Sequence, residues 1–104
     1  VNQKYDEAIV MLSAVITRKP EYAEAYYWRA YSQYMLKKYG EASRDLDKSL
    51  QYNPNYAEAY YLYGNVAYSE AKDDQAIEYL TKAVEIKPSY TDAYLMRGRT
   101  KIMM

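Results

Sequence analysis

The chain has 104 residues with 14 basic and 14 acidic side chains, so its formal net charge is zero. It contains no Cys and no His, which excludes disulfide scaffolds, zinc or iron sites built on those residues, and Ser-His-Asp or Cys-His catalysis. Neutral charge argues against nucleic acid or an acidic membrane surface as the main partner, and 16 Tyr beside one Trp and no Phe raise the question of core against binding surface.

The first predicted helix covers about residues 4–18. Ala8, Ile9, Val10, Met11, Leu12, Val15 and Ile16 make it apolar over much of its circumference, and such a helix expects burial on more than one side. Its strongest apolar run, Ile9 to Leu12, is too short to span a membrane, and Val1-Asn2-Gln3-Lys4 leads into no signal-peptide segment. The chain does not begin with Met, so a trimmed segment is the expectation. Absence of Cys is compatible with the cytoplasm and does not establish it.

A second helix is predicted over about 22–36, rich in Ala, Tyr, Met and Glu, with apolar positions three and four apart. A short break at Lys37-Lys38 joins it to an antiparallel third over about 39–52, where Ala42, Leu46, Ser49 and Leu50 share one stripe. The fourth, over about 56–70, repeats the second. Ala71-Lys72-Asp73 then leads to a fifth over about 73–86, with Ala76, Leu80, Ala83 and Val84 on its stripe. A sixth covers about 90–103. Pro20, Pro54 and Pro88 end the first, third and fifth helices, because proline lacks the backbone donor and disfavours helix in the residue before it.

Those prolines are spaced by 34 residues, and residues 21–54 laid over 55–88 match at 12 of 34 positions without a gap. Tyr22-Ala23-Glu24-Ala25-Tyr26-Tyr27 recurs as Tyr56-Ala57-Glu58-Ala59-Tyr60-Tyr61 and again as Tyr90-Thr91-Asp92-Ala93-Tyr94-Leu95. The chain resembles the tetratricopeptide repeat, whose pattern is W-x2-L-G-x2-Y, then A-x3-F, then Pro. Tyr26, Tyr60 and Tyr94 fill the Trp slot, Ala30, Gly64 and Gly98 the Gly slot, Ala8, Ala42 and Ala76 the Ala slot, and Leu12, Leu46 and Leu80 the Phe slot. The Leu slot departs, with Arg29, Tyr63 and Arg97, as does the second Tyr slot, with Gln33, Ala67 and Lys101.

The resemblance implies an all-α fold, a right-handed superhelical α-solenoid of antiparallel helix pairs with six helices. It implies a single array over residues 1–104. The second helix of a partial repeat lies in 1–20, whole repeats in 21–54 and 55–88, and the first helix of a partial repeat in 89–104. Both terminal helices lack a partner, as expected of a piece of a longer array.

In that family the first helices line a concave face that binds extended peptides or helices. Carried over by position, that face would present Glu24, Tyr27, Trp28, Tyr31, Tyr34 and Met35, then Glu58, Tyr61, Leu62, Asn65, Tyr68 and Ser69, then Asp92, Leu95, Met96, Arg99, Ile102 and Met103. The tyrosines then divide. Tyr22, Tyr26, Tyr56, Tyr60, Tyr90 and Tyr94 recur with the period and read as packing. Tyr5, Tyr39, Tyr52, Tyr63 and Tyr79 read as structural or solvated. Tyr27, Tyr31, Tyr34, Tyr61 and Tyr68 read as groove anchors, since Tyr offers a large apolar face, a polar tip and few torsions to freeze.

The resemblance implies a protein–protein interaction scaffold and no enzyme, cofactor or metal. Glu24, Glu58 and Asp92 outweigh Arg99, so the expected partner is a neutral to basic peptide or helix with apolar or aromatic side chains. The best-known members grip a chaperone's C-terminal carboxylate with Lys, Asn and Arg. Here those slots hold Tyr27, Tyr31, Leu62, Asp92 and Met96, and the expectation excludes such tails. Other signals are poor. Gly40, Gly64 and Gly98 form no phosphate loop. Asp6-Glu7 and Asp73-Asp74 sit where acids favour a helix N-terminus. Arg97, Arg99 and Lys101 turn around their helix without making one stripe, so nucleic-acid binding is not expected, and the short apolar runs give no expectation of membrane insertion. The alternative is self-association through the incomplete ends, at Val10, Met11, Ile102 and Met103, by dimerisation or head-to-tail stacking.

Overall fold

The structure, a computed structural model, describes residues 2–103, the side chain of Met103 excepted. The described residues form six helices, α1(Asn2–Arg18), α2(Ala23–Met35), α3(Tyr39–Tyr52), α4(Ala57–Ser69), α5(Asp73–Ile86) and α6(Thr91–Met103), and no strand. The first starts two residues before its expected position, and the others agree within one residue. None is long and apolar enough to cross a membrane.

Two helix ends show how the turns are built. Lys37 and Ala71, one period apart, have φ of 63° and 60°. The Lys37 amide donates to Tyr34 O and the Lys38 amide to Gln33 O, and Ala71 and Lys72 repeat this onto Tyr68 O and Ala67 O. A left-handed residue with these two bonds satisfies carbonyls that the ends of α2 and α4 would otherwise leave orphaned. Neither position is glycine, so both carry the strain of a Cβ in that region.

Contacts divide the chain into two compact units, Val1–Pro54 and Asn55–Met104. In the first, α2 packs on both α1 and α3. Ala23, Ala25, Tyr26 and Ala30 of α2 and Ala42 and Leu46 of α3 are buried. Small alanines let the backbones approach, and full burial of a leucine such as Leu46 contributes about 2 kcal/mol. Ser49 is the polar member of an otherwise apolar stripe because its fully buried hydroxyl donates to Ala23 O at 2.9 Å. Tyr26 O–H donates to Pro20 O at 2.7 Å, tying the Trp-slot ring to the turn before α2. Burial pushes this phenol above the usual tyrosine value; Tyr52 and Asp45 add to the shift and Arg29 opposes it.

The helix α1 is the least buried of its unit. Within its unit this helix packs on α2, none of its residues is buried, and Val10 and Met11 are each 70% exposed. Its apolar circumference is covered on one side only.

In the second unit α5 packs on α4 and α6, and α4 also meets α6. Leu80, Ala83, Val84 and Ala93 form its core cluster, with Tyr60, Tyr61, Tyr90 and Met96 packed against it. Gly64 sets the approach of α4 to α5: a Cβ there would lie 2.6 Å from Leu80 Cγ. The same slot in α6, Gly98, has nothing within 4 Å. The Trp slot diverges likewise, since Tyr26 is 7% exposed but Tyr94 is 41% exposed, with the Arg97 guanidinium 5.3 Å from its ring.

Candidate functional site

The residues expected to contact a partner fall on two units, taken in turn. On α2 the 3.6-residue period places Glu24, Tyr27, Trp28 and Tyr31 along one face. Glu24, in the first turn, is exposed. Trp28 is 51% exposed, and Tyr27 and Tyr31 are half-buried beside it. The Tyr27 and Trp28 centroids lie 5.0 Å apart with planes at 75°, and those of Trp28 and Tyr31 lie 5.8 Å apart, also at 75°. These edge-to-face contacts join three rings into one aromatic surface. Tyr34 is placed differently. It is half-buried and meets Tyr39 of α3 at 5.9 Å, so its ring belongs partly to the α2–α3 packing.

On α4 the expected residues differ in burial. Asn65 and Tyr68 are half-buried and lie near the surface. Tyr61 is half-buried against Tyr90 at 5.1 Å and rests on the core cluster of its unit. Leu62 is corrected outright: at 3% exposure it is buried and offers no surface to a partner. The exposed Arg99 lines a cavity of about 140 Å³ with Tyr61, Asp92, Leu95 and Met96. Arg99 and Asp92 there balance one another in formal charge.

The self-association candidates are the most exposed apolar side chains. Val10 and Met11 lie on α1 beside Gln3, Asp6 and Glu7. Ile102 is 85% exposed on α6, beside Tyr94, Leu95, Gly98 and Arg99. The Met103 side chain lies outside the described residues.

Sequence reasoning misses the charged and aromatic pairs that tie the helices together. Arg29 clasps Asp45 with two hydrogen bonds of 2.7 Å and donates to Ser13 Oγ at 3.1 Å, so one guanidinium links α1, α2 and α3. The hydrogen bonds to Asp45 hold Arg29 above the usual arginine value. One period later the same two positions are Tyr63 and Tyr79, whose rings stack at 4.1 Å and 12°. The departing Leu slot is thus a cross-helix pair in which both members change together. Comparing position 29 with 63 and 45 with 79 would reveal it. A second missed contact joins Lys87 Nζ to Glu58 Oε2 at 3.8 Å. No group of three or more metal-ligating side chains occurs among the described residues.

The family model described as anaphase-promoting complex, cyclosome, subunit 3 matches residues 1–83. Among solved structures, a crystal structure of MamA is 32% identical with a TM-score of 0.88, and the match covers 92% of this chain and 56% of that one. The chain thus spans little more than half of that relative. The first TPR of Spaghetti (RPAP3), bound to the HSP90 peptide SRMEEVD, is 24% identical with a TM-score of 0.93, covering 97% of this chain and 80% of that one. The TPR2B domain of yeast Sti1, in a complex with pHsp70, is 20% identical with a TM-score of 0.91, covering 98% and 86%. No curated protein matches the chain.

Proposed function

The chain belongs to the family of anaphase-promoting-complex subunit 3, built of tetratricopeptide repeats, and on that premise we propose that it is a protein-interaction module and not an enzyme. It holds a peptide or helix of a partner by shape and apolar burial, without chemistry. The observation that carries this reading is the aromatic surface of α2, where Trp28 is half exposed and braced edge-on by Tyr27 and Tyr31. Rigid aromatics lose little entropy on binding and dominate interface energies. Within the same unit Glu24 and Tyr34 extend this surface. The second unit offers its own candidate residues, Asn65, Tyr68 and Arg99, with Tyr61 resting on its core cluster. Leu62 is left out.

The partner is a neutral to basic segment with apolar or aromatic side chains. The two chaperone-peptide complexes among the relatives stand against the exclusion of chaperone tails, and their identities of 24% and 20% relate the folds alone. The exclusion rests on residues. On α2 Tyr27 and Tyr31 supply no cation for a carboxylate, and on α6 Met96 supplies none and Asp92 would repel one. Tightly saturating binding of the peptide SRMEEVD would overturn it. For the surface itself, Trp28→Ala combined with Tyr31→Ala should weaken a selected peptide at least about thirtyfold with helix content unchanged. Retained affinity would place the contact elsewhere.

A second reading, self-association, is favoured by the exposure of Val10, Met11 and Ile102 and by the open space over Gly98. Light scattering at rising concentration separates the two. Val10→Lys with Met11→Lys would disperse an assembly and leave peptide binding intact.

A further inference from the structure

We infer that the α2 surface takes a lysine side chain of its partner, the ammonium seated between the Glu24 carboxylate and the Trp28–Tyr31 rings. This rests on the reading of α2 as a partner-binding face and specifies its chemistry.

The second repeat holds a contact of the same chemistry, on a different ring position. There Glu58, the counterpart of Glu24, has Lys87 Nζ 3.8 Å from its carboxylate, and the same ammonium lies 4.9 Å from the centre of the Tyr90 ring. A primary ammonium thus sits between a carboxylate and an aromatic face, gaining from both. One period earlier the Lys87 and Tyr90 positions are Asn53, which carries no charge, and Tyr56; the rings on the same helix as Glu24 are instead Trp28 and Tyr31, where the second repeat has Leu62 and Asn65. Among the described residues no ion pair involves Glu24, and it is exposed.

The rings tell the same story. Lysine or arginine lies over Tyr22, Tyr26, Tyr60, Tyr90 and Tyr94. Among the described residues none lies over Trp28 or Tyr31, although indole is the strongest cation–π acceptor of the side chains. The only other charged residue of α2, Arg29, is held by Asp45 and directed into the packing of its own unit. Among the described residues, the exposed face of α2 thus carries a carboxylate and π density with no cation paired to either. Glu24 and Trp28 are four residues apart and so adjacent on that face, close enough for one ammonium to touch both.

Trp28 is the only tryptophan, so its emission reports on this surface alone. The probes are a blocked Ala-Leu-Lys-Leu-Ala peptide and its norleucine analogue, titrated into the intact chain to millimolar concentration. The lysine peptide should change the emission saturably, with the norleucine peptide about tenfold weaker and Glu24→Gln weakening the lysine peptide about threefold. Added salt should erode the difference between the peptides. Equal binding of the two peptides would overturn the ammonium assignment and leave α2 as an apolar contact surface. No response to either, with a larger selected peptide still binding the Trp28→Ala, Tyr31→Ala variant, would overturn both.

Discussion

At the scale of single residues, two side chains hold conformations or protonation states that the surrounding helices impose. Tyr26 is buried with its hydroxyl committed to Pro20 O, and its phenol is raised above the usual value mainly by that burial. In the unfolded chain this tyrosine ionises near its ordinary value of about 10. The folded chain keeps the proton to higher pH, so above that point the unfolded state binds fewer protons and stability falls as pH rises. Urea midpoints across the alkaline range should drop, and Tyr26→Phe should flatten the drop while costing about 1 kcal/mol at neutral pH through the lost hydrogen bond. A wild-type and variant with parallel profiles would show that this phenol is not the coupled group. Ala71 offers a simpler test. Its φ of 60° is strained for an alanine and easy for glycine, so Ala71→Gly should raise stability by about 0.5–1 kcal/mol, as read from the urea midpoint.

At the scale of elements, α4 and α6 carry the same glycine slot with opposite surroundings. Gly64→Ala must displace the fully buried Leu80 and should cost about 1–3 kcal/mol. Gly98→Ala meets open space on an equivalent helix and should stabilise by up to about 1 kcal/mol through helix propensity. The same change that stabilises the monomer should impair any assembly that packs a helix against Gly98, which makes it a useful discriminator. The α2–α3 pair supplies the other element-scale prediction. Asp45→Tyr alone leaves the largely buried Arg29 without its carboxylate and should cost about 3 kcal/mol. Arg29→Tyr with Asp45→Tyr copies the Tyr63–Tyr79 stack of the next repeat, and a double-mutant cycle should show the pair recovering well over half of the summed single losses. Additive losses would mean that the two pairings are not interchangeable solutions to one packing problem.

At the scale of the whole molecule, the fold is almost entirely legible in the sequence. The period of 34 residues, the recurring prolines and the alanine–leucine stripes locate six helices because each is a local pattern repeated in register. What the pattern does not carry is which neighbour covers a given face. Leu62 and Trp28 occupy the same slot, yet one is 3% and the other 51% exposed, because burial depends on what packs across the helix and not on the slot. Cross-helix pairs such as Arg29–Asp45 escape for a related reason: a single column shows a departure from the motif, and only a second column shows its partner. The candidate surface is therefore expected from the sequence as a helix face, and burial removes Leu62 from it. The most direct measurement is an amide chemical-shift titration of the intact chain with a peptide selected from a display library. Recognition by α2 predicts shifts concentrated at Glu24, Tyr27, Trp28 and Tyr31 and lost in the Trp28→Ala, Tyr31→Ala variant. Shifts concentrated on Val10 and Met11 of α1, or unchanged in that variant, would contradict it.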